Sequence, residues 1–64
     1  MEEKVVKTFL QLDKTVSSCQ EDLTRFINGN KSAGTRLRKA MQEVKRLAQQ
    51  VRVEVQEQKN SVMA

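Results

Sequence analysis

Apolar residues recur at alternating intervals of four and three along both halves of this chain. In the first half they are Val5, Phe9, Leu12, Val16, Cys19, Leu23 and Phe26. In the second they are Leu37, Met41, Val44, Ala48, Val51 and Val55. That rhythm is the seam of helices lying side by side. Val6, Leu10 and Ile27 widen the first stripe, and Ala33, Ala40 and Leu47 flank the second. Val51, Val53 and Val55 alternate at the period of a strand, but the long helical pattern around them governs the reading. β-branched residues are only slightly unfavourable in a helix.

The two seams are separated by Asn28-Gly29-Asn30-Lys31-Ser32. Glycine ends a helix at little cost because it accepts the left-handed conformation. Asn30 or Ser32 can cap the following helix by accepting from its free N–H groups. The connection is short, so the expected fold is all-α, an antiparallel hairpin of two long helices. The expected bounds are helix 1 over about 3–28, a turn at 29–32 and helix 2 over about 33–60, all in one domain. One hairpin leaves part of each stripe wet. Pairing with a second copy into a four-helix bundle is therefore the expected assembly.

A chain of 64 residues supplies a small core of its own. Disulfides cannot reinforce it, because Cys19 is the single cysteine. With no His and a single Cys, a closed structural zinc site is all but excluded, and the commonest general base is missing. Cys19 lies on a seam with no His partner, so it reads as a packing thiol rather than a nucleophile. Glu21 and Asp22 are neighbours in sequence but diverge on a helix, so they form no shared carboxylate site. Asp13, Glu43, Glu54 and Glu57 read as solvated or Lys-paired groups on polar faces. No catalytic residue, metal or cofactor is expected. The acidic start, Glu2-Glu3, with no apolar run after it, does not read as a signal peptide. The expected location is the cytoplasm.

Charge is concentrated. The whole chain carries +4. Residues 31–52 hold Lys31, Arg36, Arg38, Lys39, Lys45, Arg46 and Arg52 against Glu43 alone, while the segments on either side are slightly acidic. Lys31, Arg38, Lys45, Arg52 and Lys59 stand at an unbroken seven-residue interval. On a helix that interval is almost two turns, giving one row with a charge about every 10 Å. Lys39 and Arg46 form a second row, and Thr35, Gln42 and Gln49 lie between the two. An ordinary solvated helix face mixes both signs, whereas this outward face carries no acid from Ser32 to Arg52. Such a rod suits a polyanion. No helix-turn-helix, zinc finger or RNA-recognition signature is present, and aromatic platforms for single strands are missing. The reading is duplex DNA held through its phosphate backbone with little sequence preference.

The run Gly29-Asn30-Lys31-Ser32-Ala33-Gly34-Thr35 has the residue types of a phosphate loop but not their order, and no strand leads into it. A nucleotide triphosphatase is excluded. Two readings stay open for this turn: a helix cap, and a contact for one backbone phosphate from Lys31, Ser32, Thr35 and the first N–H groups.

The stretch Gly29-Asn30-Lys31-Ser32-Ala33-Gly34-Thr35-Arg36-Leu37-Arg38-Lys39, followed by Glu43, Leu47 and Arg52, resembles the small bacterial linker-histone-like proteins, the chlamydial histone-like family. The typical run there is Gly-Asn-Lys-Ala-Ala-Gly-x-Arg-x-Arg-Lys, and the resemblance covers about residues 5–60. It implies a DNA-binding protein that compacts the nucleoid. Lys31, Arg36, Arg38 and Lys39 match the family's basic run, and Lys45, Arg46 and Arg52 match its helix less strictly. Some members carry a long Lys- and Ala-rich tail, which this sequence lacks at Ser61-Val62-Met63. The alternative is a small coiled-coil adaptor that pairs its basic rows with an acidic protein. A membrane-surface helix ranks below both, because the apolar face is needed for folding.

Overall fold

A computed structural model describes residues 2–63, with side chains for residues 3–60. Met1, Ala64 and the side chains of the segment 61–63, where a basic tail would follow, lie outside that description. Three helices occur in order: α1 (Glu2–Ser18), α2 (Gln20–Ile27) and α3 (Lys31–Met63). No strand occurs among the described residues. The molecule is a thin slab, 53 × 15 × 11 Å between Cα extremes.

The first stripe reads as one helix over 3–28, but the backbone bends at Cys19 and divides it into α1 and α2. The cause is local. The Ser18 hydroxyl donates to the Thr15 carbonyl at 2.9 Å, which is the acceptor the Cys19 N–H would use in a regular helix. Cys19 N–H turns instead to the Val16 carbonyl at 3.2 Å, and its thiol donates to the same oxygen. Side chains that compete for backbone acceptors in this way bend helices. The thiol is free and buried.

α2 ends at a left-handed Gly29, φ 101°. Gly29 N–H bonds the Phe26 carbonyl at 3.0 Å and Asn30 N–H bonds the Arg25 carbonyl at 2.9 Å. This pair of bonds is the Schellman closure that satisfies the last carbonyls of a helix. Asn30 Oδ1 then accepts from Ala33 N–H at 3.0 Å and caps α3, which starts at Lys31 rather than at 33. At the turn the cap is therefore the observed use of Asn30.

The bent arm, α1 and α2 together, lies antiparallel against α3. Lys4 near its start meets Glu57 at 3.7 Å, and Asp22 near its end meets Arg36 at 3.0 Å. The contact line is not the full stripe. Ala33, Leu47 and Cys19 are buried, and Val5, Leu12, Leu37, Ala40, Val44 and Val51 are half-buried. The arm also turns Thr8, Thr15 and Asp22 toward α3. The other seam positions, Phe9, Val16, Leu23, Phe26, Met41, Ala48 and Val55, remain exposed, Phe9 by 57%. The expected seam is thus rotated toward the alanine flank. Small Ala33 and Ala40 on this line of α3 let two backbones approach closely, and the bulkier seam residues are left on one broad face.

Candidate nucleic-acid interface

The basic positions depend on the register of α3. With Ala33, Ala40 and Leu47 facing the arm, helical geometry directs Lys31, Arg38, Lys45 and Arg52 up and away on one side. Lys39 and Arg46 stand on the opposite side, and Thr35, Gln42 and Gln49 form the outer ridge between the two rows. All seven basic candidates are exposed. Thr35, Arg38, Lys39 and Gln42 line a shallow open groove across that ridge. The candidate surface is the outer edge of the slab, opposite the arm.

The seven cations are not equivalent. Arg36 Nε–H donates to Asp22 on α2 at 3.0 Å, and that carboxylate is only 20% exposed. Arg46 donates to Glu43 at 2.6 Å, which draws Glu43 below its ordinary value of 4.5 and raises Arg46. Among the described residues, no ion pair engages Lys31, Arg38, Lys39, Lys45 or Arg52. The Glu43–Arg46 spacing is legible in the sequence as neighbouring positions on one helix. The Asp22–Arg36 pair joins two helices across the turn, and no local pattern signals it.

Gly34 has a packing explanation. A Cβ there would stand 2.6 Å from Phe26 Cδ1. The missing side chain makes room for the Phe26 ring over the first turn of α3. Lys31, Thr35 and Arg38 surround this contact at the turn end of the slab.

Glu54 departs from the expected polar, solvated position. It is 6% exposed, faces the arm, and accepts from the Gln50 amide at 2.8 Å. That bond is the main reason its carboxyl is held below 4.5; the Thr8 hydroxyl and then the Lys4 charge add to it, against burial. The Thr8 proton is directed at the Lys4 carbonyl, 3.1 Å away, so Glu54 Oε1 has no donor of its own in the resting geometry. A turn of the hydroxyl would supply one.

Among the described residues no group of His, Cys, Asp or Glu is arranged to hold a metal ion. Among the described residues no helix is long and apolar enough to cross a membrane. The surface offers positive charge and hydrogen-bond donors along one edge, and the comparison with known proteins agrees with that chemistry. Residues 6–61 match the family described as Histone H1-like protein Hc1. The chain belongs to this family. The family is one of structural DNA-binding proteins, histone-like and nucleoid-condensing, not a class of enzymes. No curated protein and no solved structure gives a match. The match spans the arm, the turn and nearly all of α3, so it takes in the whole basic edge.

Proposed function

We propose that this protein binds duplex DNA without sequence preference, through phosphate contacts from Lys31, Arg36, Arg38, Lys39, Lys45, Arg46 and Arg52. It acts in the cytoplasm on the nucleoid, as a helical hairpin paired with a second copy into a four-helix bundle. The observation that carries the DNA reading is the outer edge of α3. Two basic rows flank a ridge of uncharged hydrogen-bonding groups, and five of the seven cations have no acidic partner among the described residues. Phosphate oxygens accept from Lys and Arg without regard to base identity. Successive charges stand about 10 Å apart, wider than the phosphate spacing of one strand, so each meets every second phosphate or so. The pairing is supported by Phe9, Leu23, Met41 and Val55, which a lone hairpin leaves exposed.

The test is the affinity for unrelated duplexes at several salt concentrations. If all five residues of the seven-residue row, Lys31, Arg38, Lys45, Arg52 and Lys59, meet phosphates, log affinity falls with log salt with a slope of roughly −4 to −5 per protomer. A flat salt response overturns the reading. The double variant Arg38→Glu, Lys45→Glu should weaken binding to every duplex about equally; a loss confined to one sequence contradicts backbone contact. A small adaptor for an acidic protein would instead leave random duplex DNA unshifted in a gel at moderate salt.

A further inference from the structure

The proposed pairing leaves open which surfaces meet and where the basic edges end up. The slab has two unlike broad faces. One carries Lys4, Gln11, Arg36, Gln50 and Glu57, and the Lys4–Glu57 pair lies across it. The other carries Phe9, Val16 and Leu23 from the arm and Met41, Ala48 and Val55 from α3, all exposed. From the 53 × 15 Å extents the whole of this broad side measures about 800 Å², the area one partner contributes to a standard stable interface, and the apolar residues occupy its middle.

Two borders run along that face. On the α3 side the border is the ladder, Lys31, Arg38, Lys45 and Arg52. On the arm side it is Val6, Asp13, Gln20 and Ile27, whose single charge is negative. Two copies can stack face to face about a two-fold axis in only two ways. If the axis runs across the slab, α3 lies on the partner's α3 and the two ladders stand side by side, like charge against like, within about a Debye length. If the axis runs along the slab, α3 lies on the partner's arm, and each ladder meets the border with no cation. The Lys4–Glu57, Asp22–Arg36 and Phe26–Gly34 contacts set the levels along the axis. In this second arrangement they bring Lys45 level with the partner's Asp13 and Arg38 level with the partner's Gln20. They also bring Lys31 and Arg52 level with the partner's exposed Ile27 and Val6, which the aliphatic stems of those side chains can cover.

We infer that a second copy docks on the Phe9/Val16/Leu23/Met41/Val55 face with α3 across its partner's bent arm, so that the basic edges of the dimer point in opposite directions. This rests on the proposed four-helix pairing and deepens it. Lys45 then has a role in the dimer as well as on DNA. Two opposed edges hold two duplexes rather than widening the surface for one.

Two measurements test the arrangement on the full chain without DNA, so their outcome is independent of the salt-slope test. Sedimentation at micromolar concentration should give a helical dimer. Asp13→Lys should raise its dissociation constant about three- to tenfold, and Asp13→Lys with Lys45→Asp in the same chain should restore it, because the two-fold axis puts the swapped charges opposite each other. In a Cys19→Ala background, oxidising a mixture of Val16→Cys chains with Met41→Cys chains should give a mixed disulfide dimer, and Ala48→Cys chains alone should give none. Circular dichroism confirms that each variant is helical. A folded monomer, a self-linked Ala48→Cys dimer, or failure of the charge swap to rescue would overturn the proposal.

Discussion

Gly29 stands at φ 101° between two helices, and the residue after it caps the second one. The fold of so small a chain leans on such single positions. Asn30→Ala removes the acceptor for Ala33 N–H and should cost about 1 kcal/mol, read as a lowered thermal midpoint. Gly29→Ala forces a Cβ into the left-handed region, and a loss of about 1 kcal/mol is expected there too. The basic residues differ in the same local way. Arg36 and Arg46 already have carboxylate partners, so contact with a phosphate must compete with Asp22 and Glu43. Arg38→Ala should therefore weaken DNA binding more than Arg36→Ala or Arg46→Ala, in a titration at fixed low salt. Equal losses at all three positions would show that the acids release their partners readily.

Between helices, the most deeply buried carboxylate among the described residues is Glu54. Glu54 faces the arm, and the Gln50 amide holds its carboxyl below 4.5. A group whose folded value is lowered contributes stability that is fully present above its unfolded value and is lost as pH falls through the folded one. The thermal midpoint should therefore drop as pH is taken down from about 5, with the partly exposed Glu43, also lowered, adding to the same trend. Glu54→Gln removes the charge while keeping a side chain of the same shape. It should flatten part of the acid-side slope in thermal melts from pH 7 to pH 3, leaving the remainder to Glu43. An unchanged slope would mean that Glu54 is paired equally well in the unfolded chain. The bend at Cys19 belongs to this scale as well. Ser18→Ala frees the Thr15 carbonyl for Cys19 N–H, and a straighter arm with higher helix content in circular dichroism is expected.

For the molecule as a whole, five of the ten exposed large apolar side chains share one face, and its stability should depend on how much chain is present. A dimer binds only the folded state, so the thermal midpoint should rise with protein concentration across the micromolar range. Phe9→Lys, at a position already exposed in the single slab, should abolish that dependence while leaving the helix content of the monomer largely in place.

Much of this is written in the order of residues. Alternating intervals of four and three dictate helices, because side chains return to one side only at that spacing. Gly29 and Asn30 dictate where the chain turns, because few residues tolerate φ 101° and few cap a helix well. The seven-residue interval dictates that Lys31, Arg38, Lys45 and Arg52 share a row wherever α3 points. What periodicity leaves open is rotation about the helix axis, since a stripe three residues wide offers two adjacent lines of contact. The tertiary structure chose the line through Ala33, Ala40 and Leu47, where small residues let the backbones come close. That choice buried Glu54, tied Arg36 to Asp22 across the turn, and left Phe9, Leu23 and Met41 in the open. None of the three is visible from spacing alone, because each depends on what the other helix places opposite.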